Sequence, residues 1–373
     1  MNTAILSHPD NVPQKVIVNV SALEHNYRVI SDLCHSNNIS FTAVTKCVCS
    51  NNRIVEIAKK NGADSIADSR IENLRFAQNS LPTMCIRVSY PKESPQVVKC
   101  CDISLQSEIS TIRALADAAR DQGKRHRVIL MIDLGDLREG IYYQDEEKIR
   151  FLAESILTNK SLEFFGVGTN LSCYGGVLPD EGNLGVLVSI AKELRRYYGI
   201  ELPVVSGGAT STIPLLLDGM LPKEINNLRI GEAALFGYDS SRKMHITGLR
   251  ADAFVLESPL IEVNKKPSMP YGSRLYNAFG ERVGIEDKGL MVRGICALGR
   301  QTIDLHSIWT LDDRIEILGA SSDHTILNLN RVSSYKVGDI VDFGIGYGSL
   351  CRFASGKNEQ FAFLEGEEAE TSD

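Results

Sequence analysis

The sequence predicts an α/β protein in which a (β/α)8 TIM barrel precedes an all-β domain at the C-terminal end. Short apolar runs typical of buried strands alternate with amphipathic helical stretches from about Val16 to Tyr238. Eight such units in roughly 220 residues fit a closed parallel barrel better than an open sheet. After about His245 the helical stretches give way to short Val- and Ile-rich runs separated by Gly turns, which predict a β-domain.

The predicted elements follow one another in a regular order. Ser21 and Glu24 have the spacing of a capping box, so the first helix is expected to begin there and to continue to Cys34. The barrel strands are expected at 41–46, 64–68, 83–88, 102–105, 127–133, 164–168, 202–205 and 227–230. The strands of the β-domain are expected at 254–258, 294–298, 314–318, 325–329 and 339–343. The predicted domains are 14–243 and 244–366, and the pattern leaves open whether residues 1–13 join the second.

The composition is that of an ordinary globular enzyme and argues against several classes of protein. Hydrophobic residues make up 43% of the chain and charged residues 23%, which allows a large core and excludes bulk disorder. The formal net charge is −7 and the charges form no long block of one sign, so no nucleic-acid partner is expected. No apolar run reaches the about 18 residues that a membrane span needs, and the polar start predicts no secretory signal.

The nine cysteines are expected to be reduced thiols, which indicates a cytoplasmic protein. Their number is odd, most lie in apolar runs, and no CxxC pair occurs. The spacings of Cys47 with Cys49 and of Cys100 with Cys101 do not suit a tetrahedral metal site, so no metal is expected.

The chemistry of a TIM barrel is located at the carboxyl ends of its strands, where three features stand out. Lys46 ends the first strand; a lysine there is commonly a solvated charge, but a desolvated lysine suits Schiff-base chemistry. The turn 206–211 after the seventh strand is small and rich in hydroxyl groups, and Arg229 and Gly231 follow the eighth. Such a turn is often a plain loop, yet barrels commonly bind phosphate after these two strands.

Together these positions resemble the fold-type III pyridoxal-phosphate (PLP) enzymes, the alanine racemase superfamily, and most closely its ornithine-racemase-like branch. The similar segments are 44–46, 67–73, 131–140, 168–176, 226–232, 298–301, 318–324 and 347–348. The resemblance implies a PLP-dependent amino-acid racemase that removes and returns the α-proton through an aldimine on Lys46. Ornithine or another basic amino acid is the expected substrate.

The resemblance also implies roles for individual residues. Lys46 would carry the cofactor and move the α-proton on one face, and Arg229 would face the pyridine nitrogen. Because an arginine keeps its proton, the ring nitrogen would stay unprotonated, which favours quick reprotonation of the substrate. The remaining implied cofactor contacts are Ser206, Thr210, Ser211, Gly231, Glu232 and Tyr347. The implied substrate contacts are Arg138 and, from the partner subunit's β-domain, the pair Ser322 and Asp323.

Three positions depart from the pattern of alanine racemases. The lysine that is carbamylated there falls at Met131, so that modification is not expected, and the histidine that stacks on the cofactor falls at Asn170. The tyrosine that serves as the second base falls near Arg300, and an arginine is a poor base because it stays protonated. The candidates for the base on the opposite face are Cys173, Tyr174, Asp323 and His324. Cys173 is equally well read as a buried structural thiol, and Asp323 with His324 as a hydrogen-bonded structural pair.

Two other functions remain open at this point. A fold-type III decarboxylase or lyase is one, although decarboxylases of this fold usually place a carboxylate where Arg229 stands. A non-catalytic PLP-homeostasis protein is the other, although such proteins resemble the barrel without a second domain. Asp68, Glu72 and Asp136 are candidates to receive a basic substrate side chain. The expected assembly is a homodimer in which the β-domain of one chain closes the barrel mouth of the other.

Overall fold

The computed structural model describes residues 14–75, 77, 80–332, 334–356 and 360–365. Two compact units make up this part of the chain. One unit is Ser21–Ala251, and the other combines the described parts of Met1–Val20 and Asp252–Asp373. Residues 1–13, for which the sequence left open whether they join the second domain, lie outside the described residues.

The strands and helices are numbered here in chain order. The strands are β1 (Lys15–Asn19), β2 (Ser40–Val44), β3 (Ser65–Asp68), β4 (Thr83–Cys85), β5 (Ile103–Gln106), β6 (His126–Asp133), β7 (Ile141–Tyr142), β8 (Leu162–Gly168), β9 (Val204–Ser206), β10 (Asn227–Ile230), β11 (Tyr238–Asp239), β12 (Met244–His245), β13 (Phe254–Pro267), β14 (Leu290–Cys296), β15 (Ile308–Thr310), β16 (Glu316–Ala320), β17 (Thr325–Asn328), β18 (Ile340–Ile345) and β19 (Phe361–Leu364). The helices are α1 (Val20–Ser36), α2 (Asn52–Lys60), α3 (Ile71–Leu74), α4 (Ser94–Cys100), α5 (Ile109–Asp121), α6 (Glu146–Leu157), α7 (Glu181–Tyr198), α8 (Ile213–Leu217), α9 (Glu232–Phe236) and α10 (Tyr347–Ala354). Short 3-10 helices lie at Lys46–Val48, Pro91–Glu93, Thr210–Thr212 and Leu305–Ser307. Among the residues described, no helix combines the length and apolarity needed to cross a membrane.

The first architectural feature is a closed ring of eight parallel strands. The ring runs β2, β3, β4, β5, β6, β8, β9 and β10, and it closes where Arg229 of β10 lies opposite Thr42 of β2. Alternate side chains of these strands point inward and form an apolar cluster. Its buried members are Val44, Ala67, Met84, Ile103, Leu105, Ile129 and Met131. The predicted (β/α)8 barrel is therefore confirmed, with each of the eight strands close to its expected place.

The second unit is an antiparallel β-domain built around the long strand β13. Strands β1, β14 and β18 each pair with it antiparallel. The first part of β13 alternates buried and half-buried residues, as expected for a strand with one face on a core. The predicted all-β domain is thus confirmed, with α10 as its one substantial helix within the described residues.

The observed division of the chain differs from the predicted boundaries of 14–243 and 244–366. Strand β1 belongs to the β-domain, because Val16 pairs antiparallel with Leu256 and parallel with Phe361. The barrel unit begins at Ser21 and extends to Ala251, where the strand-rich part follows. The apolar run in β1 is as typical of a barrel strand as of a β-domain strand, so the sequence carried no signal for its sheet.

Candidate active site

Lys46 lies at the carboxyl end of the first barrel strand. The strand β2 ends at Val44, which packs into the apolar cluster inside the barrel, so it ends two residues earlier than predicted. Lys46 then begins a 3-10 helix, and its side chain is half-buried. Lys46 therefore follows the carboxyl end of a barrel strand, where the family resemblance implies the lysine that binds the cofactor.

Arg229 is a buried cation on the last barrel strand and is only 3% exposed. Its Nε donates to Ser206 Oγ at 2.9 Å, and its Nη2 donates to the carbonyl oxygen of Thr169. Ser206 in turn donates to Asn227 Oδ1 at 2.6 Å, and Asn227 Nδ2 donates to Thr42 Oγ1 at 2.9 Å. Burial lowers the pKa of Arg229 to about 10, so the guanidinium remains charged at neutral pH.

The turn after β9 approaches the first turn of α9. Gly208 has φ +108°, and a Cβ on Gly207 would lie 2.5 Å from Ile225, so this turn has room only for glycine at both positions. Thr210 Oγ1 accepts the N–H of Ala233 at 3.1 Å, which joins the turn to the residues that follow β10. Buried hydroxyls and backbone N–H groups therefore gather between these two strand ends, a suitable place for a phosphate.

Arg242, which the sequence reasoning missed, also contacts this turn. Its Nη1 donates to the carbonyl oxygen of Ser211 at 2.7 Å and lies 3.0 Å from Asp239 Oδ2. The carboxylate of Glu232 accepts the N–H and hydroxyl of Ser240, so its side chain is turned toward that residue. At Glu232 only the backbone is thus left to contact a phosphate.

The loops after β6 and β8 bring a second arginine to the barrel mouth. Arg138 forms an ion pair with Glu139, and Nδ2 of Asn170 donates to the same carboxylate. Burial alone would lower the pKa of Arg138, but the hydrogen bonds to Glu139 together with the charges of Cys173, Glu139 and Asp136 outweigh it and raise that pKa. Glu139 was not singled out from the sequence, and it ties together two residues that were.

The loop that carries Cys173 is anchored by a buried carboxylate. Asp136 is 1% exposed and accepts the N–H groups of Cys173 at 3.1 Å, Tyr174 at 2.9 Å and Val177 at 3.1 Å. Its oxygens are therefore committed to this loop, contrary to its suggested role with a basic substrate. The Cys173 side chain is exposed, which contradicts its reading as a buried structural thiol.

Electrostatics connect this thiol to the two arginines. The negative charge of an ionised Cys173 thiol raises the pKa of both Arg138 and Arg229, which favours the charged form of each guanidinium. The Cys173 thiol therefore lies within electrostatic range of both guanidinium groups.

The other predicted residues lie in the β-domain, in the turn between β16 and β17. The N–H of Ser321 donates to the carbonyl oxygen of His324 at 2.8 Å, and His324 Nδ1 lies 3.4 Å from Ser321 Oγ. The side chains of Asp323 and His324 are exposed, and neither hydrogen-bonds the other within the described residues. The structural pair suggested for these two residues is therefore absent from this turn.

The loop that contains Arg300 packs against the same turn. Arg300 N–H donates to Ser321 O at 2.9 Å, and a Cβ on Gly299 would lie 2.2 Å from Ser322 O. The guanidinium pairs with Glu281 at 2.8 Å and lies over the ring of Phe279. Arg300 is thus held by ionic and stacking contacts inside its own unit.

The predicted site residues fall into two groups. Those of the barrel unit stand at or just after carboxyl ends of strands: Lys46, Arg138, Asn170, Cys173, Ser206, Thr210, Ser211, Arg229, Gly231 and Glu232. Those of the β-domain are Ser322, Asp323, His324 and Tyr347, the last being the first residue of α10. The barrel group fits a phosphorylated aldehyde cofactor, since it offers an amine, a fixed cation and a glycine turn. A buried hydroxyl of Thr169 without a partner in the described part of the chain lies at the same strand ends.

Comparison with known proteins agrees with this reading. Residues 18–240 match the family model described as alanine racemase, N-terminal domain. The chain is 41% identical over 340 residues to ornithine racemase of Acetoanaerobium sticklandii, covering 91% of this chain and 96% of that protein. It is 33% identical over 341 residues to lysine racemase of Thermotoga maritima, covering 91% and 95%. The solved structure of alanine racemase from Bartonella henselae, which has covalently bound pyridoxal phosphate, is 15% identical with a TM-score of 0.69, covering 95% and 100%. The chain belongs to the alanine racemase family.

Proposed function

We propose that this protein is a PLP-dependent racemase of basic amino acids, with ornithine as the expected substrate. The observation that carries the proposal is the buried, hydrogen-bonded Arg229 in the same barrel that presents Lys46 at a strand end. Identity to an ornithine racemase and a lysine racemase over 91% of the chain supports a basic substrate.

The residues of the barrel mouth divide the work of holding the cofactor. Lys46 would bind it through the amine, while Ser206, Thr210, Ser211 and the backbone at Gly231 and Glu232 would surround its phosphate. Asn170 would lie against its ring. When bound, PLP supplies an electron sink that makes the α-proton of an amino acid acidic.

Arg229 determines which reaction this electron sink favours. With a pKa of about 10 it stays protonated at neutral pH, so it would donate a hydrogen bond to the ring nitrogen of the cofactor and give up no proton to it. A weaker electron sink favours rapid return of the proton over loss of carbon dioxide. Racemisation therefore fits this chain better than decarboxylation.

Proton transfer on two faces requires two groups. The Lys46 amine would act on one face. For the other we propose Cys173, whose exposed thiol interacts electrostatically with Arg138 and Arg229, or the pair Asp323 and His324 from a partner subunit. Arg138 would hold the substrate carboxylate, oriented by its ion pair with Glu139.

A contribution of Asp323 and His324 from a partner subunit requires a homodimer, and we propose that the protein forms one. We also propose that it is cytoplasmic. Asp323 is exposed and Ser322 half-buried in a polar turn of the β-domain, and we assign both to the substrate site in the barrel of a second copy. A two-fold arrangement provides one barrel and one turn for each of two sites.

The test is incubation of the purified protein and PLP with L-ornithine, L-lysine or L-alanine in D₂O. We expect the D-enantiomer of ornithine with deuterium at the α-carbon, and no exchange in Lys46→Ala. Release of carbon dioxide would instead indicate a decarboxylase, and bound PLP without exchange on any of these substrates would indicate a carrier.

A further inference from the structure

The turn that begins at Lys46 adopts an unfavourable backbone conformation. Two consecutive residues with side chains, Cys49 (φ 49°) and Ser50 (φ 49°), are in the left-handed region that normally suits glycine. Strain of this kind persists only where the surroundings enforce it, and it clusters at functional sites. The neighbouring contacts therefore have to hold this turn.

The contacts that hold it form a buried chain of three side chains. Ser50 Oγ donates to Asp68 Oδ2 at 2.8 Å, and Thr45 Oγ1 lies 2.8 Å from Ser50 Oγ. Because Ser50 donates its proton to Asp68, the Thr45 hydroxyl is the donor in the second pair. The N–H of Ser50 also donates to the carbonyl oxygen of Thr45 at 3.1 Å. The residues immediately before and after the Lys46 helix are thus tied to one carboxylate.

Asp68 is an unusual residue to find at this position. It is 0% exposed and forms no ion pair with any described residue. Within the described residues it accepts hydrogen bonds only from neutral groups, namely Ser50 Oγ, Asn73 Nδ2 at 3.2 Å, the N–H of Arg70 at 2.8 Å and the N–H of Ser69. Burial raises its pKa, which means that the charged form is destabilised where it lies. A buried carboxylate without a cation is costly for folding, so its retention calls for a benefit elsewhere.

The direction of the strand side chains shows on which side of the barrel wall these hydrogen bonds lie. Val44 and Ala67 both point into the barrel, so Asp68, one residue later on β3, points to the outer face of the barrel, where Ser50 links it to Thr45. The hydrogen bonds among Asp68, Ser50 and Thr45 therefore support the Lys46 turn from the outer face of the barrel strands.

We propose that Asp68 is a positioning residue for Lys46, holding the turn through Ser50 and Thr45 so that the amine is fixed for its bond to the cofactor aldehyde. The inference rests on the proposed role of Lys46. It assigns Asp68 to the scaffold of the reactive lysine and removes it from the candidates for binding a basic substrate side chain.

The experiment compares Ser50→Ala, Ser50→Gly and Asp68→Asn with the wild-type protein. Asp64→Asn is the matched control, because Asp64 precedes the same strand at its opposite end and accepts hydrogen bonds from Phe41 N–H at 2.7 Å and His35 at 2.9 Å. PLP affinity is measured by titrating the cofactor-free chain. Visible-region circular dichroism at PLP saturation reports how rigidly the lysine-bound cofactor is held, and thermal unfolding of the cofactor-free chain reports folding.

We expect Ser50→Ala and Asp68→Asn to bind PLP about tenfold more weakly, as for the loss of one hydrogen bond to a charged group, with a reduced dichroic signal at saturation. Ser50→Gly separates positioning from folding. Glycine tolerates the left-handed conformation, so the cofactor-free chain should be as stable as wild type while its PLP affinity still falls. Asp64→Asn should lower the unfolding temperature and leave both PLP readouts unchanged.

The proposal is overturned if Ser50→Gly and Asp68→Asn bind PLP with wild-type affinity and dichroism, or if their losses match that of Asp64→Asn. If the wild-type protein binds PLP on Lys46 but racemises none of the amino acids tested, the proposed function fails and the positioning role is still decided by these variants. If wild-type Lys46 binds no PLP, both proposals fail.

Discussion

Protonation of one buried histidine should control the acid stability of the barrel. His126 on β6 is 2% exposed, and its Nε2 lies 2.8 Å from Ser104 Oγ on β5. Burial lowers its pKa from 6.5 to about 4. The unfolded chain therefore binds a proton at this residue between those two pKa values while the folded chain does not. Stability is accordingly lost as pH falls from 6.5 toward 4. Integrated from pH 7 to pH 5, this one group costs about 2 kcal/mol.

The measurement is urea unfolding followed by far-UV circular dichroism at pH 7 and pH 5. His126→Gln keeps an amide that can reach Ser104 but does not titrate, so it should lose about 2 kcal/mol less than wild type on acidification. His245→Gln serves as the control, because that ring is exposed. Equal pH dependence of wild type and His126→Gln would refute the reasoning.

Three further predictions concern the site. Arg229→Glu removes the buried cation that we propose to face the cofactor nitrogen and should lower racemisation more than tenfold while raising transamination, measured as pyridoxamine phosphate; unchanged rates would refute its role. Asp136→Ala removes the acceptor of three N–H groups, so limited proteolysis should cut within 171–177 faster than in wild type, and equal cleavage would show that the loop is held otherwise. Mixing Lys46→Ala with Asp323→Ala should restore up to about a quarter of the sites once subunits exchange, since half of a random dimer population is mixed. No recovery after proven exchange would contradict the shared site.

Much of the fold could be predicted because each barrel strand is encoded by a short local stretch of sequence. A strand buried on both faces needs a short continuous apolar run, and the eight runs of the barrel stand clear of the helical stretches between them. The same logic could not place β1, since its partners β13 and β19 lie more than two hundred residues away in the chain. Local pattern identifies a strand and says little about which sheet it joins.

The site was predictable to the extent that topology fixes it. Strand ends on parallel strands meet at one barrel rim, so Lys46 and Arg229 could be assigned together before any contact was known. Glu139 could not, because neighbouring residues on a strand point apart. It pairs with Arg138 only through an irregular loop in which Leu137 has φ 57° and Gly140 has φ +125°.

The buried carboxylates are a second case in which the local sequence did not reveal the role of a residue. Asp68 and Asp136 look like ordinary surface acids in the sequence, and both were candidates for a basic substrate. In the fold they accept hydrogen bonds from hydroxyl and N–H groups of neighbouring loops. Whether a carboxylate binds a ligand or anchors a loop depends on which N–H groups the chain brings to it, and this is a long-range property.

The interior of the barrel is divided in a way that explains where the chemistry lies. Its apolar cluster is contributed largely by β4, β5 and β6, whereas the strands around the closure carry polar side chains in contact with one another. Ser65 donates to Thr42, Asn227 donates to Thr42, and Ser206 links Asn227 to Arg229. A guanidinium can be buried only where acceptors are already in place, because an unpaired charge in an apolar interior would be too costly. The polar half of the barrel is therefore the part that can hold Arg229 fixed, and Lys46 follows the strand that borders it.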